Sequence, residues 1–297
     1  MCTAVSCCAG SHFFGRTLDY DRSFGETIVV TPRNYPFPFR CLPSVPEHHA
    51  MIGMALLADG YPLYFDAVNE KGLAAAGLNF PGNAVYRPFT EGKFNITPYE
   101  LIPFLLGTCD NTEDAREFTK ELSLYDRPFR GDLPLTPLHW MVADAEDCFV
   151  IEQTADGLHV YDNPVRVLTN NPPFPEQLCR YETSEVLPGG WSSESRFRRA
   201  GFMLEHSAAE ATPAGNVNRI FRILGAVERT KGCRAADDPD FITQYTSCCD
   251  ADRGIYYCTT YWNRTVTAVN MHGERLDGDK PVSYTPVREP WILMRNG

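Results

Sequence analysis

The sequence predicts an α+β domain with much sheet. Strand-like runs open the chain, return in its middle and close it. Two pairs of helix-forming stretches lie between those runs. No internal repeat, low-complexity segment or linker divides the 297 residues, so they read as one domain, 1–297. Runs of strands alternating with runs of helices point to layers of sheet and helix around a common core.

Composition narrows the function classes. The hydrophobic fraction is an ordinary 43%. A net charge of −11 argues against a nucleic-acid partner, which would require clustered Lys and Arg. A few local arginines could still hold a small anion. No run of eighteen apolar residues is present, so no membrane insertion is expected. The N-terminus shows no basic start followed by an apolar core, and the expected location is the cytoplasm. The eleven cysteines are then expected to be mostly free thiols. Cys7-Cys8 and Cys248-Cys249 are adjacent pairs and there is no C-x-x-C, so no metal is expected.

The stretch Met1 to Asp19 carries the chemistry. Cys2 stands directly after the initiator Met. Removal of Met1 would leave a free α-amine and a thiol on one residue. An N-terminal amine has a reference pKa of about 7.7–8.0, so much of it can accept a proton near neutrality. A thiol beside such a base, with a cation to favour its thiolate, is a strong nucleophile. Alone, Cys2 reads as an ordinary terminal residue; the rest of the stretch changes that reading. The segment after it reads as a hairpin, with strands Thr3–Cys8 and His12–Asp19 around a turn at Ala9-Gly10-Ser11. The return strand would bring Arg16 and Asp19 back to Cys2. Arg16 could hold the thiolate by charge, and Asp19 could hold the α-amine by hydrogen bond.

Thr27–Thr31 is a β run closed by Pro32. Asn34 to Pro46 is dense in Pro and Phe and reads as a loop; Tyr35, Phe37, Phe39 and Leu42 either line a pocket or pack the loop onto the core. Ala50–Leu57 and Leu63–Val68 are consecutive buried strands turned at Asp59-Gly60. Leu73–Leu78 is a strand of small residues that ends at Asn79. An amide just past a buried strand suits an oxyanion donor. It also suits a turn before Pro81-Gly82.

Pro98–Leu106 reads as a helix kinked at Pro103. Asn111–Leu124 reads as a second helix, capped by Asn111 or Thr112. The Pro-rich stretch from Leu124 to Pro137 is a loop that could border a pocket. Leu138–Asp144 and Cys148–Gln153 form a hairpin. His139 within it is a possible base, but its apolar flanks read as those of a core histidine. Leu158–Tyr161 and Val165–Thr169 are strands, the second ending at Asn170. Phe174–Trp191 reads as an irregular connector. Helices then run from Ser192 or Ser193 to about His206 and from Thr212 or Pro213 to about Arg229. Phe241–Thr246, Gly254–Tyr261 and Thr265–Asn270 close the sheet.

Several of these segments resemble the choloylglycine hydrolases, N-terminal-nucleophile enzymes that include bile salt hydrolases and penicillin V acylases. The resemblance rests on Cys2-Thr3, Phe14–Tyr20, Gly25–Arg33, Tyr64-Phe65-Asp66, Asn69–Leu73 and Ala76–Gly82. It continues through Leu138–Trp140, Ile151–Gln153, Val167–Pro172 and Ser193–Phe197, and so covers most of the chain. It implies a four-layer αββα sandwich of two antiparallel sheets. It implies hydrolysis of a linear amide without a cofactor, with Cys2 as nucleophile and its α-amine as base. Asn79 and Asn170 would stabilise the oxyanion, Arg16 and Asp19 would orient Cys2, and Arg196 in Ser195-Arg196-Phe197 would support the site. Leu18, Tyr20, Phe65 and Ala67, within or beside these motifs, are assigned to substrate binding. The substrate would be a small amphipathic molecule.

Asn79 leans towards bile salt hydrolases, since penicillin V acylases commonly carry tyrosine there. The short Phe174–Trp191 stretch replaces a longer insertion that many bile salt hydrolases use to pack subunits. A homo-oligomer is therefore expected, with a tetramer in doubt. Penicillin V or another N-acyl amide is the alternative substrate, and a silent binding protein is the reading from a different class.

Overall fold

The computed structural model describes residues 1–43, 45, 47–183, 189–233 and 240–296. In chain order the first elements are β1 (Cys2–Cys8), β2 (His12–Tyr20), β3 (Thr27–Thr31), β4 (Met51–Ala58), β5 (Tyr61–Asn69) and β6 (Ala74–Asn79). Then come β7 (Phe94–Ile96), α1 (Leu101–Thr108), α2 (Thr112–Lys120), β8 (Leu122–Leu124), β9 (Leu138–Ala143), β10 (Cys148–Thr154), β11 (Gly157–Asp162) and β12 (Val167–Leu168). The chain continues through α3 (Phe174–Glu182), α4 (Ser193–His206), α5 (Pro213–Gly225), β13 (Ile242–Asp250), β14 (Ile255–Thr260), β15 (Thr267–Asn270) and β16 (Val282–Tyr284).

Two antiparallel sheets stack face to face. One has the order β12-β1-β2-β13-β14-β15 and the other β11-β10-β9-β6-β5-β4-β3-β16. Helix α1 packs on β5 and β6, while α4 and α5 pack on β1, β2 and β13. This is the expected αββα order. The inner strands β1 and β2 are buried on both faces, so their sequences lack polar alternation. Gly15 in β2 lets α5 come close; a Cβ there would stand 2.9 Å from Ile220 Cγ2 and 2.6 Å from the Ser247 carbonyl.

The helix caps follow the expected chemistry. Asn111, Ser192 and Thr212 accept from the backbone N–H groups of Asp114, Ser195 and Gly215. Elsewhere the boundaries move. Pro103 does not kink α1, because it sits in the first turn, where a missing N–H breaks no hydrogen bond. The second expected helix stops at Lys120, and Leu122–Leu124 becomes a strand. The connector expected to be irregular contains α3, whose prolines lie before it and in its first turn, where they start a helix rather than break one. Residues 184–188 of that connector lie outside the described residues.

The aromatic loop after β3 packs the core. Phe37 is buried, its ring 4.8 Å from Tyr35 and 5.7 Å from Tyr61, and Phe39 meets Phe104 of α1 at 5.9 Å. His139 is a core residue, stacked on Phe80 at 4.3 Å.

Candidate active site

The register of β1 against β2 builds the site. Cys2 pairs with Leu18, Thr3 with Thr17 and Ala4 with Arg16. Directly opposed residues share a face. Cys2, Leu18 and Arg16 therefore face the second sheet, and Arg16 Nη1 donates to the carbonyls of Phe65 at 2.8 Å and Gly77 at 3.0 Å. Thr3, Thr17 and Asp19 face the helices, and Arg196 of α4 reaches down to Thr3 Oγ1 at 2.8 Å.

Cys2 is buried to 3% exposure and lines a cavity of about 310 Å³. The Cys2 nitrogen donates to Asn170 Oδ1 at 2.8 Å. Arg196 Nη2 donates to the same oxygen at 2.7 Å, and Arg196 Nη1 donates to the Cys2 carbonyl. Asn170 Nδ2 donates to the Asn79 carbonyl at 2.7 Å. One amide thus ties Cys2, the arginine and the end of β6 together. Burial pushes the Arg196 guanidinium below its ordinary value, against the pull of Asp19 and Cys2.

Asp19 is fully buried. Its Oδ1 accepts from Thr243 Oγ1 at 2.7 Å, and Thr243 Oγ1 accepts from the Arg229 N–H at 2.7 Å. Asp19 Oδ2 is buried with no hydrogen bond among the described residues. Met1 is attached here; its nitrogen donates to the Asp19 carbonyl and its residue lines the cavity. Burial lowers the Met1 amine, while Cys2 and Asp19 pull it back up. Removing Met1 turns the Cys2 N–H into an amine already held by Asn170.

Arg16 is fully buried. Burial works against its charge, but Tyr245, Cys2 and Asp66 outweigh burial and raise the guanidinium above its ordinary value. Asp66 lies 3.9 Å from Arg16 Nε and accepts from the hydroxyls of Tyr245 and Tyr256 at 2.6 Å each. Burial raises the Asp66 carboxyl, opposed by Arg16 and the two tyrosines. Asp66 and Thr243 are supports that the sequence reading did not single out. A carboxylate inside the apolar run Leu63–Val68 was the available signal for Asp66. Thr243 stood in a strand with no mark of its own.

Asn79 lines the cavity, and its side-chain amide makes no hydrogen bond among the described residues. That leaves it open to an incoming oxygen. Asn170 was expected beside it as a second oxyanion donor. Its Oδ1 instead faces the Cys2 nitrogen and its Nδ2 is committed to Asn79, which suits holding an amine.

Leu18, Tyr20 and Phe65 line the cavity, together with Phe129, Leu133 and Leu135 of the Pro-rich loop. Ala67 does not. The β4–β5 pairing slips between Ala55↔Tyr64 and Met54↔Asp66, leaving Phe65 as the extra residue. That bulge flips the alternation, and Ala67 is buried in the cluster that includes Leu101 and Leu105 of α1.

Comparisons with known proteins place the chain in a family. The profile of the family described as linear amide C–N hydrolases, choloylglycine hydrolase family, matches residues 2–186 and 183–284. The chain belongs to the choloylglycine hydrolase family. A bile salt hydrolase/transferase of Lactiplantibacillus plantarum is 42% identical, with 97% of each chain covered. One of Clostridium perfringens is 33% identical, with 96% of each covered. The crystal structure of the mutant C2A conjugated bile acid hydrolase from Clostridium perfringens superposes with a TM-score of 0.90, at 31% identity over the full length of both chains. The penicillin V acylase from Agrobacterium tumefaciens shares the fold, with a TM-score of 0.76 at 21% identity over 91% of this chain and 86% of that one. This choloylglycine hydrolase is thus a linear amide hydrolase whose Cys2 lies at an apolar cavity.

Proposed function

We propose that the chain deconjugates bile salts, cleaving the amide between a steroid acyl group and glycine or taurine. The observation that carries this is the Cys2 nitrogen held at 2.8 Å by Asn170, on a residue that lines a largely apolar cavity. Once Met1 is gone, an amine N–H donates to Asn170 Oδ1 and its lone pair is free to act as base. Asp19 Oδ2, a buried acceptor without a donor among the described residues, is available to the amine when it becomes an ammonium.

The Cys2 thiol passes its proton to the α-amine, and the sulfur attacks the amide carbon. Asn79 donates to the oxyanion that forms. Arg16, buried and cationic beside Cys2, balances the negative charge on sulfur. The α-ammonium gives its proton to the leaving nitrogen, the C–N bond breaks and a thioester remains. Water, deprotonated by the same amine, attacks the thioester; the acid leaves and the thiol is restored.

The setting and the assembly fit the same reading. Eleven unpaired cysteines support a reducing, cytoplasmic setting. The apolar residues Trp291, Ile292, Leu293 and Met294 are 60–80% exposed, which supports a homo-oligomer that covers them. Light scattering on the purified protein reads the subunit count.

The test is amino-acid release from glycocholate and taurocholate beside hydrolysis of penicillin V, with Cys2→Ala as control. Release from the conjugates, lost in Cys2→Ala, supports the proposal. Turnover of penicillin V alone keeps the mechanism and overturns the substrate.

A further inference from the structure

Among the described residues, three charged side chains line the cavity, and two are already engaged. Arg16 is hydrogen-bonded to the second sheet, and Asp132 pairs with Arg130 at 2.6 Å. Arg22 has no ionic or hydrogen-bonding partner among the described residues. It is exposed, just beyond the end of β2.

The turn that carries Arg22 is held in place. The buried Glu26 accepts from Ser23 Oγ at 2.9 Å and from the Phe24 N–H at 2.8 Å. Arg288 donates to the other Glu26 oxygen at 2.5 Å and to Ser23 Oγ at 2.7 Å. The charge of Glu26 is therefore matched by Arg288 and does not engage Arg22. Tyr20 and Phe24 flank Arg22 in sequence, their rings 4.7 Å apart, and both line the cavity. Asp21, the exposed neighbour, does not line it. An unpaired guanidinium thus stands at an apolar cavity in a chain of net charge −11.

We infer that Arg22 binds the anionic end of the substrate, the carboxylate of a glycine conjugate or the sulfonate of a taurine conjugate. This rests on the bile-salt reading above. In both conjugates the anion lies on the leaving-amine side, one or two carbons from the scissile nitrogen. A guanidinium offers paired N–H donors that fit either oxyanion group. Because the site is exposed, the contact sharpens substrate capture rather than the chemical step.

The experiment compares wild type, Arg22→Gln and Arg22→Lys on glycocholate, taurocholate and the uncharged ethanolamide of cholic acid. In Arg22→Gln the KM for both conjugates should rise about fivefold with kcat nearly unchanged. The ethanolamide should be hydrolysed as by wild type, and Arg22→Lys should recover part of the loss. The wild-type KM for the conjugates should rise with salt, and that dependence should weaken in Arg22→Gln. An unchanged KM for the conjugates overturns the inference. So does an equal loss on the ethanolamide, which would mark a structural role. Wild type that cleaves the ethanolamide but neither conjugate overturns the bile-salt reading itself, and Arg22 with it.

Discussion

Asn170 Oδ1 holds the Cys2 nitrogen at 2.8 Å, and Arg196 secures the same oxygen at 2.7 Å. The amide therefore fixes where the amine lone pair points once Met1 is removed. Asn170→Ala should lower kcat/KM by about 10²–10⁴-fold, the range of a positioned general base. Cys2 should still react with iodoacetamide in that variant, since the thiol remains. Steady-state kinetics beside alkylation mass spectrometry checks both. A variant with near wild-type kcat/KM would remove Asn170 from the mechanism.

Removal of Met1 is itself testable. With Met1 attached, Cys2 N is an amide without a basic lone pair, and Met1 lines the cavity. Its nitrogen is tied to Asp19, and β1 is an inner strand of its sheet. Protein expressed with methionine aminopeptidase inhibited should keep Met1 by intact mass and show no amide hydrolysis. Activity in a fraction shown to be fully unprocessed would exclude the α-amine as base.

Much of this site was legible in the sequence because the hairpin is local. The turn at Gly10, with φ of +70°, sets the β1–β2 register and so returns Arg16 and Asp19 to Cys2. Asn79 and Asn170 were legible as polar ends of apolar strands. Ala67 was misplaced because a single bulge at Phe65 reverses the faces, and no residue type announces a bulge there. Helix α3 was missed because prolines that start a helix also look like breakers. Thr243 was missed because its role depends on β13 pairing with β2, a contact between distant parts of the chain.

Thr243 links the Arg229 backbone to Asp19 through two 2.7 Å hydrogen bonds. Thr243→Val keeps the shape and removes the hydroxyl. A buried carboxylate oxygen then loses its donor, at a cost of about 1.5–3 kcal/mol. Urea denaturation should show that loss, and kcat should fall because Asp19 is no longer fixed. Thr243→Ser should restore both. Recovery of stability without recovery of kcat would separate Thr243 from the amine.

His12 supplies a pH dependence. Its ring is buried between Ser6 Oγ at 2.9 Å and the Gly72 carbonyl at 3.1 Å. Burial pushes its pKa down to about 4, partly offset by the Gly72 hydrogen bond. The unfolded chain titrates near 6.5, so between about 6.5 and 4 it binds more protons than the folded protein. Stability should fall as pH falls through that window, by roughly 3 kcal/mol from this residue. Urea midpoints near pH 7 and near pH 5 measure the slope, and His12→Gln should flatten it.

His139 and Glu152 support the two asparagines from behind. His139 Nδ1 meets Glu152 Oε1 at 2.9 Å and Nε2 meets the Thr169 carbonyl at 2.8 Å, next to Asn170. The ring stacks on Phe80, next to Asn79, and Glu152 also accepts from the Phe174 N–H at 2.9 Å. Both side chains are fully buried, so His139→Leu strands a carboxylate in the core. That should cost about 3–5 kcal/mol. The double change His139→Leu with Glu152→Leu should cost less than His139→Leu alone, because no charge is left buried. If the double variant recovers stability while kcat stays low, the pair positions Asn79 and Asn170. If kcat returns with stability, the pair acts on the fold alone.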